Sequence, residues 1–120
     1  MTSLENFLHT VRQGQPVSFD DTIAQIAAHY RYVPTGFSNG LDDARLDNAA
    51  GVNEGSCKIF SFARINGLTE AETLGLFGDF YRRDVLGNPV GTDHRNIRNF
   101  MQYGWEGIVF EGEALLPVEA

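Results

Sequence analysis

Ile59, Phe60, Phe62, Ala63 and Ile65 follow one another closely. Wound at 3.6 residues per turn, they cover nearly the whole circumference of a helix. A helix that is apolar all round has no face to give to water, so it must run through the centre of a domain with the other elements packed about it. Ser56 is placed to begin this helix. Gly67 stands just past its end, where a left-handed residue commonly closes a helix. The central helix sets the plan, and the rest of the chain must supply its wrapping.

Four further helices are predicted. Thr2 or Ser3 caps the first, with Thr2 and Glu5 spaced as a capping box, and Leu4, Phe7, Leu8 and Val11 share one face. Gly14 and Pro16 end it. Ser18 caps the second, whose stripe is Phe19, Ile23, Ile26, Ala27 and Tyr30, with Asp20 and Asp21 favouring the N-terminal dipole. Thr69 and Glu72 form another capping box, opening a helix that runs to about Leu86 before Gly87-Asn88-Pro89. Gly75 and Gly78 inside that helix predict close approach of a neighbour, most simply the helix from Ser56. Thr92 caps the last helix and Gly104 stops it, with Ile97, Phe100, Met101 and then Trp105 on the buried side. Tyr32 to Phe37, broken by Pro34, reads as an edge strand, and Ile108 to Phe110 as a second short β run. Residues 41–55 are acidic and rich in Asn, Gly and Ala, which fits a mobile loop or a short helical turn. The expected fold is therefore mainly α within the α+β class. It is a compact bundle of about five helices with a two-stranded β-ribbon pairing 33–37 with 108–110. Residues 1–120 form a single domain, and 113–120 are expected to be a loosely held tail.

Composition narrows the function. Sixteen acidic residues against nine Lys and Arg leave a net charge of −7. That sign opposes binding to nucleic acid or an anionic membrane through bulk electrostatics. A single cysteine excludes an internal disulfide and points to a cytoplasmic protein. Charged residues interrupt the N-terminal segment, so it does not read as a secretory signal, and no stretch approaches the ~20 apolar residues of a membrane span. His9, His29 and His94 stand apart, and the carboxylates and amides of 41–55 lack the calcium-hand spacing. Neither a metal site nor a cofactor is expected.

Some residues could still carry chemistry. Cys57 lies in the first turn of a helix beside Lys58, and both features lower a thiol pKa. With His94 as base it would form a nucleophile–base pair; otherwise it is a small buried core residue. His94 itself either helps start the last helix or contacts a ligand. Arg95 and Arg98 could hold a carboxylate or phosphate, or neutralise the chain's own acids. Asn96 and Asn99 are poor helix formers, so their amides should have partners, such as the backbone of 41–55. The candidate surface comprises the last helix, the start of the central helix and the loops before each. Its candidate binding residues are Asn39, Asn53, Lys58, His94, Arg98 and Asn99.

Three blocks carry a resemblance: SCKIFSFA at 56–63, LGLFGDFYRRDVLGNPVGTDHRNIRNFM at 74–101 and GWEGIVFEG at 104–112. With Phe19 to Ile23 and the Pro34-Thr35-x-Phe37-x-Asn39-Gly40 pattern, the chain resembles the HopJ type III effector family over about residues 4–112. The resemblance implies a protein injected into host cells by a type III apparatus, and it carries over no catalytic residues. The first functional reading is a small, monomeric, non-enzymatic binding protein, taking an unknown protein or a small anionic ligand, either in the bacterial cytoplasm or after type III secretion. The second is an enzyme using Cys57 as nucleophile and His94 as base.

Overall fold

A computed structural model of the chain describes residues 3–118. The central helix is α3 (Glu54–Ile65), around which α1 (Leu4–Arg12), α2 (Phe19–His29), α4 (Glu70–Gly75) and α5 (Arg95–Tyr103) are arranged. The strands are β1 (Tyr30–Tyr32), β2 (Phe37–Asn39), β3 (Leu46–Asn48), β4 (Val109–Phe110) and β5 (Leu115–Pro117). This is the expected mainly α, α+β domain.

Ile59, Phe60, Phe62 and Ala63 on α3 are completely buried. Phe60 sits among Phe37, Phe77, Phe100 and Trp105, at centroid separations of 5.9, 5.4, 4.9 and 6.5 Å. Phe62 meets Phe7 and Tyr30 edge-on. Each such ring removes enough apolar surface from water to stabilise the fold by about 1.5–3 kcal/mol, with a further ~1 kcal/mol from ring geometry. Ile65, at the end of the helix, is half exposed, so the apolar circumference closes at Ala63, two residues earlier than the spacing predicts. Gly67 takes the expected left-handed conformation after the helix, with φ +65°.

Capping follows the sequence at three starts. Ser3 accepts from the Asn6 N–H, Ser18 from the Asp21 N–H, and Thr69 and Glu72 complete both halves of their box. The Thr2–Glu5 box lies outside the described residues. The other starts differ. α3 begins at Glu54 rather than Ser56, and α5 at Arg95, with His94 rather than Thr92 as its cap.

The helix expected from Thr69 to Leu86 is broken. α4 stops at Gly75, Gly78 turns left-handed with φ +63°, and a π-helix follows at Phe80–Val85. The break has a steric cause: a Cβ on Gly78 would lie 2.6 Å from the Phe19 backbone nitrogen. The close neighbour is thus the start of α2 and not α3, and around Gly75 there is open space. Arg82 ties the break down by donating to the carbonyls of Val17 and Gly75.

The β-structure also departs from the expected ribbon. Pro34 has no N–H to give a ladder, and it divides the segment into β1 and β2. β2 pairs antiparallel with β4, Phe37 opposite Phe110, and on its other side with β3, Phe37 opposite Asn48. The ribbon is therefore three-stranded, and pairing with β4 starts at Phe37 rather than 33. The stretch 41–55 supplies β3 after a 3₁₀ turn at Asp42–Ala44. The tail expected to be loose is held as β5, antiparallel to β1 with Tyr32 opposite Leu115. The reason is apolar burial, since Ala114 and Leu115 are both core residues. No helix among the described residues is long and apolar enough to cross a membrane.

Candidate functional site

Asparagines build the frame of the site. Asn39 on β2, Asn48 on β3 and Asn96 on α5 are buried in one network. Asn39 Nδ2 donates to the Asn96 carbonyl at 2.8 Å and to Asn96 Oδ1 at 3.0 Å. Asn96 and Asn48 exchange side-chain bonds, Asn96 Nδ2 to Asn48 Oδ1 at 2.9 Å and Asn48 Nδ2 to Asn96 Oδ1 at 3.2 Å. Asn53 Nδ2 then donates to Asn48 Oδ1 at 2.7 Å. Asn99 donates to the carbonyls of Asn39 and Ala44. The two helix-disfavoured amides of α5 thus find partners, and those partners include the 41–55 segment that the sequence suggests.

The network holds the starts of α3 and α5 against one cavity. Both cap residues are left-handed, Asn53 at φ 54°, ψ 47° and His94 at φ 49°, ψ 49°. Neither helix has a side-chain cap. The first helical bonds are Cys57 N–H to Asn53 O and Arg98 N–H to His94 O. Amides ahead of these have no acceptor inside their helices. Gly55 and Ser56 from α3, and Arg95, Asn96 and Ile97 from α5, line a cavity of about 590 Å³. Two positive helix ends therefore open onto one space. Phe19, Phe77 and Phe80 complete its apolar side.

His94 and its neighbours set the electrostatics. His94 Nε2 lies 3.2 Å from Asp84 Oδ2 on the π-helix, and its ring packs against Phe80 with centroids 5.3 Å apart. Asp93 is bound by Arg98 Nη2 at 2.6 Å. That guanidinium holds the Asp93 carboxyl below its ordinary value. The rest of the Arg98 fork takes the carbonyls of Asp93 and Asn88, clamping the loop before α5. Arg95 lines the cavity, is exposed, and has no ion pair or hydrogen bond among the described residues.

The structure divides the candidate residues sharply. Asn53 and His94 line the cavity. Asn39 lies buried behind it, while Arg98 and Asn99 are tied to backbone carbonyls as described. Lys58 is not in the cavity wall, and its Nζ sits 4.7 Å above the Tyr32 ring. Cys57 is sealed, 1% exposed, with Sγ donating to the Thr35 carbonyl at 3.4 Å. Burial pushes its pKa up, outweighing the opposite effects of Ser61, Thr35 and Lys58. No hydrogen bond joins Cys57 to His94, whose ring partner is Asp84. Sequence reasoning misses Ser56, Phe19, Phe80 and Asp84 as site residues. It also favours Arg98 over Arg95, although the two are three residues apart on one helix. Among the described residues no group of three or more His, Cys, Asp or Glu side chains could hold a metal ion.

This arrangement defines a small α+β protein with a preformed, half-apolar cavity at paired helix starts. The family described as HopJ type III effector protein matches residues 4–115, and the chain belongs to that family. A solved structure titled as that of an unknown-function protein, VPA0580, is 44% identical, with a TM-score of 0.91, over 97% of this chain and 94% of the other. No curated protein matches.

Proposed function

We propose that this HopJ-family chain is a small, monomeric, non-enzymatic binding protein, and that its cavity takes a small anionic ligand. One observation carries the reading: two uncapped helix N-termini, α3 and α5, open onto the same cavity. Unsatisfied amides and the dipole both favour a carboxylate or phosphate at such a place. Unpaired Arg95 on the rim adds a full positive charge and a planar fork of donors. Two left-handed, non-glycine caps are a costly way to start helices, and such strain is concentrated at binding sites. A titration with inorganic phosphate followed by backbone amide NMR tests the reading. The amides of Gly55, Ser56, Arg95 and Asn96 should shift together and saturate. Shifts that never saturate, or that fall elsewhere, sink it.

The Cys57 enzyme reading receives no support from the thiol's burial and raised pKa. For location, we propose a cytoplasmic protein of the bacterium, with type III export the alternative that the family description carries. A reporter fused to residues 1–20 decides between them: type III-dependent export of the fusion favours the effector role, and its retention favours the resident one.

A further inference from the structure

We infer that the ligand of this cavity is an anion borne on a flat aromatic ring. The inference rests on the anion reading above and adds the class of the group that carries the charge. It starts from the apolar half of the cavity.

Phe80 is a large ring left 38% exposed in the cavity wall. It is presented by the π-helix, a rare local structure that recurs at functional sites. An unbroken α-helix through this region would have set the ring on a different bearing. The Phe80 ring has two aromatic neighbours in place. Phe19 meets it edge-on at 4.9 Å and 69°, and His94 lies tilted against it at 5.3 Å and 35°. The Asp84 carboxylate holds the imidazole by its Nε2.

These rings adjoin the amides that would bind the charge. His94 is itself the cap of α5, so its ring borders the start of that helix. At the other helix, a Cβ on Gly55 would sit 3.0 Å from Phe19 Cζ. Each helix start is therefore flanked by an aromatic ring, and a group projecting from an anion seated on those amides has the rings within reach. A flat ring can meet them by offset or edge-to-face contact. A small inorganic anion would leave Phe19 and Phe80 facing water. Ligand cavities pair apolar walls with a few converging polar groups in this way.

The test compares inorganic phosphate, phenyl phosphate and cyclohexyl phosphate on the whole chain by calorimetry and amide NMR. Phenyl phosphate should bind about tenfold more tightly than either of the others. It should also impose ring-current shifts on Phe80 and Phe19. In Phe80→Leu, which keeps an apolar side chain at a partly exposed position, the preference for phenyl phosphate over inorganic and cyclohexyl phosphate should be lost. Equal binding of phenyl and inorganic phosphate overturns this inference and leaves the anion reading standing. Equal binding of phenyl and cyclohexyl phosphate also overturns it, because the wall would then read bulk rather than aromaticity. Failure of all three to bind removes both readings.

Discussion

Asn48 and Asn96 face each other across the site and exchange two side-chain hydrogen bonds, at 2.9 and 3.2 Å, with both residues almost wholly buried. One sits on a strand and the other in the first turn of a helix, so the pair joins two kinds of element through their side chains. Removing Asn96's side chain takes several hydrogen bonds out of a buried network. Asn96→Ala should lower the unfolding free energy by about 1–3 kcal/mol, because its side-chain bonds with Asn39 and Asn48 are lost at ~0.5–1.5 kcal/mol each, while Asn39 keeps the residue-96 carbonyl and Asn48 keeps the carbonyls of Phe37 and Leu46. Urea denaturation measures it. A change under about 0.5 kcal/mol would mean the network adds nothing to the fold.

The left-handed caps make a separate prediction. A non-glycine residue in this region carries a cost of roughly 1–2 kcal/mol that glycine escapes. His94→Ala and His94→Gly both remove the imidazole, so comparing them isolates the backbone term. The glycine variant should be the more stable by about 1 kcal/mol in thermal or urea unfolding. Equal stabilities, or a better alanine variant, would contradict φ 49° at this position.

Asp93 gives a pH dependence with a definite sign. Arg98 lowers its folded-state pKa, so the pair contributes stability that is fully present above the unfolded carboxyl value of about 3.9. That contribution is lost as pH falls through the lower folded value. Wild type should therefore lose stability more steeply than Asp93→Asn below about pH 4, and the two curves should run parallel above it. Parallel curves through the acid range would show that the charge of Asp93 does not matter.

Cys57 titrates in the opposite sense. Burial raises its pKa, so the neutral thiol is favoured in the fold, and this preference costs stability only as pH rises past the unfolded value of about 8.5. Alkylation at pH 8 should be slow in the native protein and become fast once urea opens it. Rapid native labelling with a pH midpoint below 8 would contradict the buried thiol described here and revive a nucleophilic role.

Much of the fold is legible because burial and local chemistry agree along the chain. The apolar circumference around Phe60, the Ser18 and Thr69 caps and the Gly67 and Gly104 stops all follow from residue type alone. The site is less legible because it lies where those rules are broken. Thr92 is the better cap by propensity, yet His94 takes the position because its ring is held by Asp84 and Phe80. Phe80 looks like one more face of a long helix until Gly78, pressed on Phe19, breaks it. For Cys57, the expected activation by a helix start fails for a local reason. The helix begins at Glu54, so the thiol is already past the free amides and into the core. The partners of Asn96 and Asn99 could be inferred as a need, from their poor helix propensity. Their pairing with β3 and the 3₁₀ turn required the tertiary structure.

Residues 30–33 and 36–38 are paired by residues 109–117, through β1 with β5, β2 with β4, and the backbone bonds of Val33 and Gly36. A strand laid down early in synthesis thus waits until residues 109–117 have been made. Local helices can form as they emerge, but this ladder cannot, and contacts so distant in sequence slow folding. This part of the chain should therefore stay open to chaperones, and to any export machinery that needs an unfolded client, until residues 109–117 are free to pair.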